Sequence, residues 1–289
     1  MDINRRFEYA TADDPSLNYC LWDYPAPSCP ADKFRSINLL WQSFALADLN
    51  ERAFAIVEAV RDEIGPFSTV FGVKWTGGRL GWEFYFYDYR RLGREVSVER
   101  VVAAIAPWAR CAVTVAGTLP YFMFSIDLDD ALARGERALD VVHLYVGNPG
   151  SAVSSGIAYG VRPASTTLEN FYFFFDAATE MAQVVDKVEC SAHVDFSRVP
   201  LAQVLLPALT RCRTICVANK HSHDCIYFSG VDVDQLLYFL RLMDYPPQTI
   251  DFVSTHRARL DHLLFDVGID YTMQDDALVL RKSGYYGVF

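Results

Sequence analysis

The sequence predicts an α+β fold built on a single antiparallel β-barrel of ten strands, with helices on the outside. Three observations indicate it: ten short segments alternate like strands, tight turns join several of them in pairs, and amphipathic helical stretches lie between the pairs. The chain has 289 residues, 52% of them hydrophobic, which is enough to bury a sizeable core. A barrel can use a chain of this length as one unit, so we expect a single domain over residues 1–289.

Ten segments are predicted as strands from their alternation and from the turn residues that bound them. In chain order they are residues 69–75, 81–89, 121–128, 141–148, 156–162, 168–176, 213–220, 224–229, 262–271 and 277–289. Three pairs are joined by short turns, at Gly77 and Gly78, at residues 221–223 and at residues 274–276. Recurrent hairpins of this kind predict an antiparallel sheet.

Helical stretches are predicted between the strands, because their apolar residues recur about every 3.6 positions. They are residues 53–64, 97–107, 178–190, 201–210, 234–243 and 249–260. Pro246 and Pro247 are expected to end the fifth of them, since proline cannot continue a helix. Each strand has one apolar face, and these helices are expected to cover it.

The other face of the strands is polar and rich in tyrosine. In the second strand Glu83, Tyr85 and Tyr87 share this face, whereas Trp82 and Phe84 lie on the opposite one. The chain holds 16 Tyr and 20 Phe, and 14% of it is aromatic. About eight strands fill a barrel with side chains, so ten strands leave a lumen for a ligand. The alternative is a split sheet with one face in water.

Charge and hydropathy exclude several classes of protein. The formal charge is −10, so we expect no nucleic-acid partner and no anionic membrane as partner. Uninterrupted apolar runs are far shorter than the ~18 residues of a membrane span. The first residues lack the apolar stretch of a signal peptide, and the seven cysteines are dispersed. We therefore expect a cytoplasmic protein with reduced thiols.

A stretch in the carboxyl-terminal half resembles a known family. Lys220 ends one predicted strand, Tyr227 lies within the next, and the run Asp234-Gln-Leu-Leu-Tyr-Phe239 opens the following helix. The aromatic last segment, residues 283–289, is also similar. In these residues and in its barrel of ten strands the chain resembles the ABBA, or PT-barrel, prenyltransferases, and most of all the cyanobactin peptide prenyltransferases.

The resemblance implies an enzyme that modifies ribosomally made peptides (RiPPs). It would move a dimethylallyl or geranyl group from its isoprenoid diphosphate to a peptide side chain, Arg or otherwise Tyr or Trp. The peptide is expected to be macrocyclic. No tightly bound cofactor is implied, although Mg²⁺ can accompany the diphosphate donor. The alternatives are a PT-barrel protein that binds a ligand without catalysis and a prenyltransferase that acts on a free small aromatic molecule.

The resemblance and the strand faces together predict the site residues. The catalytic candidates are Glu83, Tyr85, Tyr87 and Tyr145. Glu83 would orient or deprotonate the acceptor, and the tyrosine rings would shield a carbocation, because aromatic faces attract cations. The donor diphosphate is expected to bind Lys74, Arg162, Lys220, Tyr227, Arg281 and Tyr285. The alternative is a solvated loop position for each lysine and simple packing for each tyrosine.

Three further carboxyl groups, on Asp127, Asp266 and Asp270, could give the lumen an acidic side. For Asp266 and Asp270 we prefer surface positions at strand ends. The potential ligands from His221 to Cys225 sit in a tight turn, and a zinc site needs four well-spaced ligands, so no metal site is expected. Fewer basic residues face the lumen than the family would place there, which favours the binding alternative.

Overall fold

The computed structural model describes residues 3–90, 93–116, 118–147 and 154–289. Its strands are β1 (Thr69–Trp75), β2 (Leu80–Tyr87), β3 (Met123–Leu128), β4 (Val142–Gly147), β5 (Ser155–Arg162), β6 (Ser165–Asp176), β7 (Thr214–Lys220), β8 (Asp224–Val231), β9 (Phe265–Gln274) and β10 (Ala277–Val288). Each strand pairs antiparallel with its neighbours in the chain, and β1 pairs with β10. The sheet is therefore a closed barrel of ten strands. The predicted fold class is confirmed, and the alternative of a split sheet is wrong.

Helices surround the barrel. Within the described residues they are α1 (Ile37–Leu46), α2 (Glu51–Ile64), α3 (Val98–Ile105), α4 (Asp130–Arg134), α5 (Met181–Glu189), α6 (Val233–Leu242), α7 (Pro247–Thr255) and α8 (Arg257–Leu260). Asn50, Ser97 and Asp232 begin α2, α3 and α6 by accepting hydrogen bonds from N–H groups of the first turn. No helix in this part of the chain has the length and apolar character to cross a lipid bilayer.

The helices differ from the prediction in four places, one of which is the short α4, a helix that was not predicted. α1 was not predicted, because it is buried on nearly all sides and its sequence lacks an amphipathic period. Residues 201–210 form two short 3-10 turns instead of an α-helix, since Pro207 has no N–H to donate. Pro247 begins α7, as proline fits the first helical turn, and the predicted helix over residues 249–260 breaks at His256.

The main hydrophobic core lies between the outer face of the barrel and the helices. Trp82, Phe84 and Phe86 of β2 belong to this core. The Trp82 ring packs edge-on against Phe44 of α1 at 5.2 Å between centroids, and its Nε1 donates to Ser43 Oγ at 2.8 Å. Helix packing thus uses the outward face of the strands. Their inward face lines the lumen, as the alternation predicts.

Two glycines make room for tyrosine rings inside the barrel. A Cβ atom on Gly268 of β9 would lie 2.4 Å from Cδ1 of Tyr227 on β8. A Cβ atom on Gly72 of β1 would lie 2.6 Å from Cε1 of Tyr286 on β10. Both distances are too short for carbon atoms in contact. The two glycines therefore permit the positions of these two rings in the lumen.

A segment that precedes α1 covers one end of the barrel. Leu17 and Asp23 form an isolated β-bridge, and Tyr19 lies between them. The Tyr19 ring packs 5.2 Å from Tyr85 and 5.2 Å from Tyr286, measured between centroids. We call residues 17–23 the covering segment. These ring contacts place Tyr19 of the covering segment inside the barrel.

Candidate functional site

Two pockets of different chemistry share the lumen. The charged pocket contains about 630 Å³ of empty space, counting the part that opens to solvent. The apolar pocket contains about 780 Å³ on the same count and lies next to the covering segment. Tyr145, Tyr172 and Tyr227 line both pockets. A layer of tyrosines therefore stands between the two.

Three lysine side chains face the charged pocket, from β1, β7 and β10. Lys74 Nζ lies 2.7 Å from Glu83 Oε1. Lys220 Nζ lies 2.9 and 3.0 Å from the two carboxylate oxygens of Asp270. Lys282 Nζ lies 3.4 Å from Asp270 Oδ2 and 3.9 Å from Glu83 Oε1. Lys282 thus links the other two lysine–carboxylate pairs into one network.

Burial and pairing set the charge states of this network. Burial alone would raise the pKa values of Glu83 and Asp270, but the lysine ammonium groups outweigh it and hold both well below the usual range. Burial likewise opposes the charge of Lys220, yet the Asp270 carboxylate raises the pKa of Lys220. All three groups are therefore ionised at neutral pH. Carboxylates with such low pKa values are weak proton acceptors.

A second charged group lies on β4, β5 and β6. His143 Nδ1 lies 2.8 Å from Glu169 Oε2, and Arg162 Nη2 donates to Glu169 Oε1 at 2.7 Å. The hydrogen bond with His143 is the main reason that the pKa of Glu169 falls to about 2. Burial lowers the pKa of His143, but Glu169 and Asp127 outweigh burial and raise it. His143 lines the charged pocket, whereas Arg162 does not.

An arc of five tyrosine rings crosses the lumen. Tyr85 lies 6.2 Å from Tyr145 and 6.0 Å from Tyr286, measured between ring centroids. Tyr145 lies 5.9 Å from Tyr172, and Tyr286 lies 6.0 Å from Tyr227. Burial raises the pKa of all five phenols well above the usual value. We call these rings the tyrosine arc; its phenols are neutral at neutral pH.

The apolar pocket lies between the tyrosine arc and the covering segment. Its walls are mostly hydrophobic and include Trp22, Phe122, Met123, Ile157 and Phe174. One carboxyl group, that of Asp266, also lines it. The pocket can therefore hold an apolar group and present a single acidic side chain to it.

Asp266 differs from the other lumen carboxylates in having no basic partner among the described residues. It is 4% exposed; Oδ2 accepts a hydrogen bond from the Tyr19 N–H at 2.9 Å, and Oδ1 accepts none. Burial raises the pKa of Asp266 to about 7, while Ser229 and the N–H groups of Tyr19 and Gly230 act in the other direction. Asp270 is also 4% exposed. The expectation that these two aspartates lie on the surface is wrong.

Most of the predicted site residues come together. The charged pocket is lined by Glu83, Tyr85, Tyr145, Lys74, Lys220 and Tyr227 among others. Tyr87 lies at the covered end, where its hydroxyl donates to the Tyr19 carbonyl. Arg162 is held by Glu169 outside the pocket lining. The solvated loop position considered for Lys220 is wrong, because its side chain is only 11% exposed.

Two predicted donor-binding residues lie elsewhere. Tyr285 faces the helices, with its ring 5.7 Å from that of Tyr245. Arg281 is exposed, and its Nη1 reaches the Ser222 carbonyl at 3.5 Å. A β-bulge between Leu280 and Lys282 shifts the register of β10, so Lys282 pairs with Asp270. Tyr285 and Arg281 were expected to bind the diphosphate, but neither lines the charged pocket. Lys282 and Tyr286 face the lumen in their place.

Comparison with protein-family models and with curated proteins finds no match for this chain. The likeness to the PT-barrel prenyltransferases therefore stays a prediction made from the sequence. Within the described residues, no three His, Cys, Asp or Glu side chains are grouped so as to hold a metal ion. The site offers ammonium groups for an anion at one end of the lumen and aromatic shelter for an apolar group beside them.

Proposed function

We propose that this barrel is a prenyltransferase that moves a dimethylallyl or geranyl group from its diphosphate to a side chain of a peptide. The observation that supports the proposal is that the tyrosine arc lies beside the three paired lysines in the lumen of one closed barrel. An allylic diphosphate needs fixed positive charge at its leaving group and water-free aromatic walls around its carbon chain. Adjoining parts of one cavity meet both needs.

The diphosphate would bind at the network of Lys74, Lys220 and Lys282. An ammonium group has three N–H donors, so a lysine held by a carboxylate keeps donors for a phosphate oxygen. Glu83 and Asp270 position these lysines before the substrate arrives, and preorganised charge stabilises the negative charge that develops on the leaving oxygen. Mg²⁺, if used, would enter with the diphosphate, because these two carboxylates are engaged by lysines.

The allylic carbon would lie against the tyrosine arc. As the bond between this carbon and the diphosphate oxygen breaks, the electron pair leaves with the diphosphate and the carbon chain becomes cationic. The ring faces of Tyr85, Tyr145 and Tyr286 attract such a cation. Neutral phenols are weaker nucleophiles than phenolates, so the raised pKa values of these tyrosines protect them from alkylation. The covering segment helps to exclude water.

The choice of a macrocyclic peptide acceptor follows from the sequence resemblance alone, as does the RiPP context. We place the reaction in the cytoplasm. All seven cysteines lie within the described residues and none forms a disulfide, which supports a reducing compartment.

Mass spectrometry of reaction mixtures tests the proposal. The full chain is incubated with dimethylallyl or geranyl diphosphate and with macrocyclic peptides that contain Arg, Tyr or Trp. We expect at least one peptide to gain one prenyl group. A panel of free small aromatic molecules, run in parallel, tests the alternative acceptor class. No prenylated product from any pairing would overturn the proposal.

A pair of lysine and arginine variants tests the role of the charged pocket. Lys220→Met should lower kcat by about 10²–10³, because it removes one preorganised cation from the leaving group. Arg257→Met is the control: Arg257 pairs with Asp234 on the surface, where its side chain is 51% exposed. This control should leave kcat unchanged. Equal rates for the wild type and Lys220→Met would contradict the assignment of the diphosphate site.

One observation favours a second candidate function, a barrel that binds an apolar or peptidic ligand without catalysis. Each lysine of the charged pocket already lies within 4 Å of a carboxylate. These carboxylates compete with a diphosphate for the ammonium groups. Calorimetry separates the two functions: a transferase should bind a non-hydrolysable prenyl diphosphate more tightly than the prenyl alcohol, whereas a non-catalytic barrel should not distinguish them.

A further inference from the structure

The apolar pocket contains a polar atom that the protein itself leaves without a partner. Asp266 Oδ1 is buried and accepts no hydrogen bond. A buried carboxyl oxygen without a partner costs free energy, which a ligand that donates a hydrogen bond would recover. Asp266 is one of the residues that line the apolar pocket, so a ligand in this pocket would lie next to its side chain.

We propose that the apolar pocket binds an organic cation, a guanidinium or ammonium group on an apolar stem, with Asp266 as its counter-charge. The walls suit both parts of this ligand. The rings of Trp22, Tyr172 and Tyr227 line the same pocket, and aromatic faces attract cations. Ile157 and Met123 offer apolar surface for the stem.

Charge complementarity separates this site from the charged pocket. There, each carboxylate described above already has a lysine or histidine partner, for example Lys220 for Asp270. Asp266 has no Lys, Arg or His within salt-bridge distance among the described residues, and no basic group contributes to its pKa. Among the lumen carboxyl groups of the described residues, the unpaired one that an incoming cation meets is therefore that of Asp266, at the apolar end of the lumen.

Ionisation of Asp266 controls this site. The other titratable groups that face it are the thiols of Cys20 and Cys212 and the phenols of Tyr19, Tyr24 and Tyr87. Burial raises the pKa of Cys20, Cys212 and Tyr24 to about 12 and that of both other phenols well above 10. These groups stay neutral between pH 5 and pH 9, so Asp266 is the group that titrates in this range.

For the proposed transferase this site would receive the acceptor, an assignment that rests on the proposed function. The bond between the allylic carbon and the diphosphate oxygen breaks, with its electron pair going to the diphosphate. The cationic acceptor loses an N–H proton as its nitrogen attacks, and the electron pair of that N–H bond becomes the pair that forms the new C–N bond. The N–H proton that the acceptor loses passes to the ionised Asp266, which is a better proton acceptor than the low-pKa Glu83.

Calorimetric titration without any diphosphate tests cation binding separately from transfer. The probes are hexylguanidinium and 1-hexanol, which share an apolar stem and differ in the charged head. At pH 8 we expect hexylguanidinium to bind at least tenfold more tightly than 1-hexanol. Its affinity should fall about tenfold per pH unit below pH 7, as Asp266 becomes protonated.

Two variants locate the effect. Asp266→Asn should lose at least tenfold in affinity for hexylguanidinium, together with its pH dependence, and should bind 1-hexanol as the wild type does. Asp234→Asn removes an exposed carboxylate on α6 and should leave all affinities unchanged. Thermal unfolding of each variant verifies that it is folded.

Three results would overturn the inference: no saturable binding of hexylguanidinium, equal affinity for both probes, or wild-type affinity of Asp266→Asn for the cation. Because no isoprenoid is present, these results are separate from those of the transfer assay. Cation binding without prenyl transfer would refute the proposed function and retain the site. Prenyl transfer without cation binding would refute the site and retain the proposed function.

Discussion

Two aspartates on β9, four residues apart, carry carboxyl groups whose pKa values move in opposite directions. Both side chains are buried on the same inward face. Asp270 has Lys220 and Lys282 within 4 Å, and these ammonium groups outweigh burial. The neighbours of Asp266 in the described part of the chain are apolar or neutral, so burial dominates its pKa. At the scale of the residue, the neighbouring charges decide the chemistry of each carboxyl group.

Substitution of Asp266 should change the pH dependence of stability. A carboxyl group with a raised pKa binds its proton more tightly in the folded state than in the unfolded state. This proton binding stabilises the folded state fully below about pH 4, and the stabilisation is lost by about pH 7. A pKa of about 7 in place of 3.8 corresponds to about 4 kcal/mol. Asp266→Asn should therefore raise the free energy of unfolding at pH 8 by a few kcal/mol relative to the wild type, with little change at pH 4.

Urea unfolding at the two pH values measures this effect, and Asp270→Asn provides a matched comparison of opposite sign. The lowered pKa of Asp270 contributes stability above about pH 4 that is lost as the pH falls further. Removal of its charge leaves Lys220 without its carboxylate, so the variant should lose about 3–5 kcal/mol at pH 8. If Asp266→Asn were less stable than the wild type at pH 8, the Asp266 carboxylate of the wild type would have a cationic partner, and the prediction would be wrong.

At the scale of the element, small residues on one strand position rings on the next. Gly268 on β9 lies opposite Tyr227 on β8 in the antiparallel register. Gly72 on β1 and Tyr286 on β10 form the corresponding contact across the strands that close the barrel. The β10 bulge acts in a similar way, because it directs Lys282 toward Asp270. Irregular positions on the strands therefore shape the lumen.

Replacement of Gly268 by alanine should disturb the tyrosine arc. Its Cβ would lie 2.4 Å from Tyr227 Cδ1, so the ring must shift, and overpacking of this kind costs about 1–3 kcal/mol. Gly78→Ala in the β1–β2 turn is the control, because a Cβ there meets no atom within 4 Å. Chemical denaturation of both variants compares them. Equal stability of the two would mean that the Tyr227 ring does not pack against Gly268.

At the scale of the whole molecule, pairing of β1 with β10 joins parts of the chain that are far apart in sequence. Val70 pairs with Val288 and Trp75 with Ser283, and the pairing leaves the barrel without a free strand edge. Ser36 Oγ, at the start of α1, also bonds the Val288 carbonyl. Closure therefore joins ten strands into one barrel whose lumen holds both pockets.

Hydrogen exchange measures this closure directly. Amide protons bonded between β1 and β10 should exchange within about tenfold of those between β7 and β8, because both pairs open only with extensive unfolding. The amides of Gly77 and Gly78 in the β1–β2 turn provide the fast-exchanging comparison. Much faster exchange along β1 and β10 than along β7 and β8 would indicate that the barrel opens at this seam.

How far the site could be predicted from the sequence differs from residue to residue. Lys220 and Tyr227 were identified because strand alternation and the resemblance agree on them. Tyr286 was missed, since Tyr285 and Tyr286 are adjacent and alternation alone does not say which of them faces inward. Tyr19 was missed because it lies outside any strand and reaches the lumen through the covering segment.

The sequence by itself determined the ten strands, the antiparallel pairing and the tyrosine-rich inner face. These features depend on neighbouring residues, on the alternation of side chains along a strand and on short turns. The tertiary structure decided which charges meet. Lys74 and Glu83 lie on adjacent strands, but Lys220 and Asp270 come together from positions 50 residues apart. Charge states follow from three-dimensional distance and burial, which alternation along the chain does not encode.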